Sequence, residues 1–170
     1  QNLFLKGERS LSQKHAMIRN PFPPGLHGKR RRKGASDYGQ HLLEKQKIRY
    51  SYGISERQLR RYFKESSKAL GNTAQTLFQK LETRLDNVVF RAGFVISRSI
   101  ARQLVAHGHF LVNNRKVNLP SYAVSPNDTV SIKGGSLGSI LFKDLKDRLK
   151  KYTPPSWLSL DKDKLQARIS

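Results

Sequence analysis

The side chains in this sequence whose types and spacing could do chemistry are cations. Arg57, Arg61, Lys64 and Lys68 recur at spacings of four, three and four residues, which on a helix places all four along one face. Only Glu56 and Glu65 are near enough to balance them. The stripe therefore reads either as a solvated charged face or as a row of ligands for an external anion. Arg98 and Arg102 stand four apart and would leave a second helix in the same direction, presenting two guanidinium groups to a phosphate backbone. A third concentration, Lys29-Arg30-Arg31-Arg32-Lys33, follows Pro21, Pro23 and Pro24. A run this dense in cations needs phosphates to hold it still; its plainer reading is a flexible basic tail or a localisation signal. The chemistry common to all three is neutralisation of a polyanion, with no bond made or broken.

Bond-making chemistry finds little support. His15, His27, His41, His107 and His109 contain no pair at helical spacing with a Glu between them, so no metal site is expected. The absence of cysteine excludes disulfides, thiolate zinc sites and a cysteine nucleophile. Gly25-Leu26-His27-Gly28 and Gly134-Gly135 lack the preceding strand and the Lys-Ser/Thr of a phosphate loop, and no Gly-x-Ser-x-Gly elbow exposes a serine. No cofactor and no catalytic residue are expected. Asp86, within Arg84-Leu85-Asp86-Asn87, reads as a structural partner of a nearby arginine or of backbone amides. Phe22, Tyr38, Tyr50, Tyr52, Tyr62 and Tyr122 are interleaved with cations and could stack on unpaired bases, whereas Phe63, Phe78 and Phe90 are assigned to the core.

The whole composition agrees with the stripes. The 170 residues hold 33 Lys plus Arg against 12 Asp plus Glu, a net charge of +21. Repulsion on that scale calls for a polyanionic partner, nucleic acid before any other. The charge is +9 over residues 1–53 and +4 in each of 54–81, 82–133 and 134–170. With 36% apolar residues the chain can build modest cores. Its apolar runs never exceed three residues, which argues against a membrane partner. The first residue is not Met, pointing to processing or a preceding segment.

The elements that must position these cations have legible ends. Residues 1–35 carry no sustained period and read as an extended basic arm. Ser36 caps a helix that runs to Tyr52 and stops at Gly53; Ser55 and Gln58 form a capping box for the next, whose stripe of Leu59, Tyr62, Phe63, Ser66 and Leu70 ends before Gly71. A single long core helix is expected from Thr73 to Ala92, carrying Leu77, Phe78, Leu81, Leu85, Val88 and Val89 before Gly93. Ser97 caps a short helix that ends at Gly108. His109 to Val112 and Lys116-Val117 form a hairpin through Asn113-Asn114-Arg115, and Thr129 to Lys133 alternates as a strand with one buried face. Gly134 to Gly138 reads as a linker, and Leu141, Leu145 and Leu149 mark a charged helix before Pro154-Pro155. The last twenty residues stay ambiguous.

Several motifs carry a resemblance. Pro23-Pro24-Gly25-Leu26-His27-Gly28, Ser36-Asp37-Tyr38-Gly39, Glu44-Lys45-Gln46-Lys47, Tyr52-Gly53-Ile54-Ser55-Glu56-Arg57-Gln58 and Arg84-Leu85-Asp86-Asn87-Val88-Val89 resemble the bacterial and organellar small-subunit ribosomal protein four family. The match continues in order through Ser97-Arg98, Ala101-Arg102-Gln103-Leu104-Val105, Leu119-Pro120-Ser121-Tyr122 and Trp157-Leu158-Ser159-Leu160-Asp161, covering essentially the whole chain. The resemblance implies an α+β fold: the basic extended arm over 1–35, a mainly helical rRNA-binding domain over 36–81 completed by 153–170, an inserted RNA-binding module over 82–133 with a helix hairpin on a short, mainly antiparallel sheet, and a linker with a charged helix over 134–152.

The resemblance also implies a non-enzymatic constituent of a cytoplasmic or organellar small ribosomal subunit, a primary binder of small-subunit rRNA at a multi-helix junction of the five-prime domain that nucleates assembly. Neighbouring small-subunit proteins, protein five above all, would be partners at a surface affecting decoding fidelity. Messenger RNA would be another, with Arg30 close to the channel by which it enters. In the module, Ser97, Arg98 and Arg102 match RNA-facing positions. The expected RNA-binding set is completed by Lys29, Arg31, Arg32, Lys33, Lys45, Lys47, Arg49, Arg57, Arg61, Lys64, Lys68 and Arg115. Zinc-bearing members place cysteines where Ser10 and His15 stand, so a zinc-free variant is implied. The turn favoured as Asn-Gly is Asn113-Asn114 here, and the family usually begins upstream of Gln1 and continues beyond Ser170. Two other readings compete. An RNA-modifying enzyme carrying the same module would need a further catalytic domain, and a DNA-binding regulator would prefer a duplex to structured RNA.

Overall fold

The computed structural model describes residues 3–29 and 34–170; Arg30, Arg31, Arg32 and Lys33 lie outside the described residues. The arm is not wholly extended. A 3₁₀ turn at Gly7–Ser10 and a single helical turn, α1 (Ala16–Arg19), are each closed by local side chains. The Ser10 hydroxyl accepts from the Lys6 N–H at 3.0 Å, and His15 Nδ1 accepts from the Met17 N–H at 3.3 Å.

Capping then sets three helices in register. Ser36 Oγ accepts from Gly39 N–H to open α2 (Asp37–Tyr52), which closes on Gly53 at φ 64°, a left-handed geometry that suits glycine. Ser55 Oγ accepts from Gln58 N–H to open α3 (Glu56–Ser67), and the Asn72 side chain opens α4 (Thr73–Glu82). These helices share a small core of Ile54, Leu59 and Leu81, with Ile48, Tyr52, Tyr62 and Leu77 packed against it. The expected α3 stripe is narrower than its spacing suggests. Leu59, Tyr62 and Ser66 define the inward line, Phe63 lies at its margin and is exposed, and Leu70 falls beyond the helix end in full solvent.

The long helix expected from Thr73 to Ala92 is two helices. Arg84 is extended at φ −64°, ψ 137°, separating α4 from α5 (Leu85–Arg91). The cause is non-local: the segment 120–124 takes the backbone groups at the break. Val124 N–H donates to Thr83 O, Leu85 N–H to Tyr122 O, and Asp86 N–H to Pro120 O. Gly93, at φ 77°, turns the chain toward α6 (Arg98–Ala106). A Cβ there would lie 2.7 Å from the Tyr152 ring, so both conformation and space demand glycine.

The strands follow as β1 (Phe110–Val112), β2 (Arg115–Lys116) and β3 (Thr129–Ile132). Asn113 and Asn114 make the hairpin turn with φ of 49° and 64°. Beyond a 3₁₀ turn at Gly134–Ser136 come α7 (Leu145–Lys150), β4 (Leu158–Asp161) and β5 (Gln166–Ile169). The sheet is antiparallel in the order β2-β1-β3-β5-β4. Within 134–152, read as a linker and a charged helix, α7 carries Leu145 and Leu149, which with Phe142 are buried in the principal core beside Phe94, Phe110 and Val130. Two expectations change here. Residues 153–170 do not complete the helical part; they join the sheet, β5 pairing with β3 so that Val130 faces Ala167, and β4 pairing with β5. In consequence β3 is central and buried on both faces, Ser131 included, where one exposed face was expected. Among the described residues no helix is long and apolar enough to cross a membrane.

Candidate nucleic-acid interface

Two sets of cations with different roles emerge when each is traced to its contacts. The first is locked into the junction between the α2–α4 unit and the α5–α6 pair. Glu82, at the end of α4, is its hub. It accepts from Tyr52 Oη at 2.6 Å, from Arg91 Nε and Nη2 at 3.0 and 2.8 Å, and from Asn87 Nδ2 at 2.8 Å. Asn87 Oδ1 in turn accepts from Arg98 Nε at 2.8 Å, and the Arg98 guanidinium lies 4.8 Å from the Tyr52 ring and 4.6 Å from the Phe90 ring. Arg102 spans the same junction by donating to Gly53 O at 2.8 Å. Arg98 and Arg102 do share a helix face, as their spacing implies, but Arg98 is half-buried and stacked, and Arg102 remains exposed. Ser97, expected to face RNA, is buried and serves as the N-cap of α6, accepting from Ile100 N–H.

Burial and charge tune this junction. Burial works to raise the Glu82 carboxyl, but hydrogen bonds from Arg91, Tyr52 and Asn87 outweigh it and hold the group below its ordinary value. Burial, reinforced by the Glu82 carboxylate, pushes the Tyr52 phenol up to about 12. Arg98 is held below the usual guanidinium range by burial first and by neighbouring Arg91 second. A phenol whose folded-state value is raised stabilises the fold below the unfolded value of about 10, and that contribution is lost as pH climbs toward 12. Chemical denaturation between pH 9 and 12 is therefore expected to show a steeper alkaline loss of stability for the wild type than for Tyr52→Phe. Parallel profiles would refute the coupling.

A second buried pair lies beside it. Arg84 Nε and Nη2 donate to the two Asp86 carboxylate oxygens at 3.0 and 2.6 Å, and Arg84 Nη1 donates to Tyr62 Oη at 3.0 Å. Both side chains are essentially out of solvent. Burial opposes the Arg84 charge, but Asp86 overcomes it and raises the guanidinium above its ordinary value. The pair is buried and architectural, as the sequence suggests.

The other cations point outward. Arg57 and Lys64 on α3 and Lys68 at its C-cap are exposed and have no carboxylate partner among the described residues. Arg61, on the same stripe, pairs with Glu65 at 2.9 Å, and Glu65 also holds Lys80 at 2.7 Å. On α2 the expected ligands are more occupied. Lys45 reaches Glu56 at 2.7 Å, Arg49 approaches the same carboxylate at 3.8 Å and lies over the Tyr50 ring, and Lys47 pairs with Glu44. Glu56 thus clasps α2 to α3, and Lys45 and Arg49 help to dock helices. Arg115 is exposed on edge strand β2, and Lys29 is exposed with its ammonium 6.0 Å from the Phe22 ring.

The balance decides what this surface can do. With 12 carboxylates for 33 cations, 21 positive charges stay uncompensated by side chains whatever the geometry. Exposed pairs such as Lys47–Glu44 hold their cations only weakly, about 0–1 kcal/mol each, so a phosphate can compete for them. Among the described residues no three His, Asp or Glu side chains converge as a metal set requires. The sequence did not reveal Glu82 or Arg91 as parts of the junction: they are nine residues apart with no helical register between them, because the chain breaks at Arg84.

Comparison with known proteins follows the same division. Residues 1–82 match the family model of the ribosomal protein S4/S9 N-terminal domain, and residues 83–130 match the S4 domain. The small ribosomal subunit protein uS4 of Syntrophomonas wolfei is 46% identical over 169 residues, 99% of this chain and 81% of the relative. The uS4 proteins of Pelotomaculum thermopropionicum and Thermus thermophilus are 47% and 49% identical over 168 and 167 residues, covering 99% and 98% of the chain and 80% of each relative.

Proposed function

The chain belongs to the uS4 family of small ribosomal subunit proteins, a structural and non-enzymatic family, and on that premise we propose that it binds small-subunit rRNA through an outward cationic surface carried on a rigid two-part frame. The observation that carries this reading is similarity to uS4 proteins along nearly the entire chain. The excess of cations over carboxylates supports it independently. The binding mechanism is replacement of counterions by Lys and Arg, with specificity supplied by the fit to a folded RNA junction.

In this proposal the helices of 36–81 and the module of 82–133 grip RNA together. Arg57, Arg61, Lys64 and Lys68 line one side, Arg102 and Arg115 serve the other, and Lys29 with Arg30 to Lys33 extends the reach. Early, nucleating attachment at a junction of the five-prime domain is part of the same proposal. So are contact with small-subunit protein five and a role of the basic arm beside incoming mRNA, with its bearing on decoding fidelity.

Footprinting on protein-free small-subunit rRNA tests the core of it. Protection confined to one multi-helix junction, at affinity falling steeply with salt, is the expected result. Diffuse protection along the RNA would overturn the specific reading in favour of nonspecific polyanion binding.

A further inference from the structure

A cleft of about 810 Å³ opens where the α2–α4 unit, the α5–α6 pair and residues 3–6 meet. Its volume suits a group the size of a nucleobase or nucleotide. Besides aliphatic Leu3, Leu5, Ile48 and Ile96, its lining presents aromatic rings and cations. Phe78 and Tyr50 are about half exposed there, 46% and 53%, although Phe78 sits on the α4 that carries Leu77 and Leu81 into the core. The cations are Lys6, Lys47, Arg91, Arg98 and Arg102, and the lining holds no carboxylate. Lys47 and Arg91 reach away to Glu44 and Glu82, whereas Lys6, Arg98 and Arg102 have no carboxylate partner among the described residues. Arg98 uses Nε on Asn87 and its flat faces on Tyr52 and Phe90; its two Nη groups donate to nothing among the described residues.

A pocket with aromatic faces, a cationic rim and no negative charge selects a ligand that is flat, apolar on its faces and anionic at one end. A single unstacked nucleotide has that chemistry: the base stacks on an aromatic face, and the phosphate takes guanidinium donors. A protein segment would need carboxylates to satisfy the rim and would leave the exposed rings no preferred flat partner. Burial and Arg91 already press on the Arg98 charge, and a phosphate at its Nη groups would supply a counter-charge there.

We infer that this cleft receives one unstacked nucleotide of the bound rRNA, its base against Phe78 and its phosphate on Arg98 and Arg102. The inference rests on the rRNA-binding reading and adds a site where contact is made with a base face as well as with the backbone. It also gives the junction a second task, since the residues that fix the two parts together form the floor of the pocket.

The test uses the full chain, protein-free small-subunit rRNA and the variants Phe78→Ala and Phe78→Trp. Phe78→Ala should weaken binding about tenfold with no change in the slope of log affinity against log salt, because no phosphate contact is lost. Phe78→Trp should restore affinity, and its added indole fluorescence should be quenched by rRNA beyond any change seen in the wild type, whose one tryptophan is Trp157. Equal melting temperatures confirm that exposed Phe78 was removed without unfolding. If Phe78→Ala binds as tightly as the wild type while an α3 charge variant still lowers the slope, the cleft inference fails and rRNA binding stands. If the wild type itself does not bind the RNA, both fail together.

Discussion

Replacing Asp86 by alanine is expected to cost about 3–5 kcal/mol of folding stability, because it leaves the Arg84 guanidinium buried without its counter-charge. For a chain of this length that is a fall in melting temperature of roughly 6–20 °C. Arg84 sits at the break between α4 and α5, with Asp86 closing a bidentate pair at 3.0 and 2.6 Å and Tyr62 on the remaining face. At 3% exposure the guanidinium has little access to solvent that could take over from the carboxylate. The damage should reach both cores, since Tyr62 belongs to the small helical core and Leu85 and Val88 to the larger one. Thermal or urea unfolding of Asp86→Ala measures it. A loss below 1 kcal/mol would mean that the pair is solvated in solution. A double variant replacing Arg84 and Asp86 by Met and Leu should recover much of the loss, because a buried ion pair removed whole costs far less than one cut in half.

The second large effect concerns binding and leaves the fold alone. Changing Arg57, Lys64 and Lys68 together to glutamine should lower the slope of log affinity against log salt by about 2.1–2.7 units, if each contributes about 0.7–0.9. All three are exposed and have no partner among the described residues, so the melting temperature should stay within a degree or two. Arg61 is left in place because Glu65 already holds part of its charge. The measurement is a salt titration of binding to protein-free small-subunit rRNA. An unchanged slope would remove the α3 stripe from the interface. Arg98 makes an instructive contrast. Spacing alone pairs it with Arg102 as a phosphate contact, but its Nε is committed to Asn87 and its faces to Tyr52 and Phe90. Arg98→Ala therefore mixes loosened architecture with lost charge and cannot be read as one contact.

That contrast marks what a sequence discloses. Caps are legible because their chemistry is local: Ser36, Ser55 and Ser97 each accept from an amide three residues on, and Gly53, Gly93 and Gly108 stop helices with positive φ. The α3 cation stripe is legible for the same reason, since spacing within one helix fixes its face. The break at Arg84 is not, because apolar residues recur across it at helical intervals and the segment that interrupts the hydrogen bonds lies at residues 120–124. The inward role of Arg98 depends on Tyr52 and Asn87 from two other helices. The final strands are short and flank a turn rich in Lys and Asp, and only the pairing of β5 with β3, and of β4 with β5, gives Leu158, Ala167 and Ile169 an inside to face.

The placement of β5 has a consequence in time. Strand β3 lies in the middle of the sheet, yet one of its two neighbours is supplied by residues 166–169. A chain is made from its N-terminus, so when residues 129–132 first emerge, one long edge of β3 has nothing to pair with. The α2–α4 helices, whose contacts are close in sequence, can pack early. The sheet has to wait with an apolar edge open to other chains, the condition in which strands join wrong partners. The arrival of β5 is thus also the event that ends the vulnerability of β3 to aggregation.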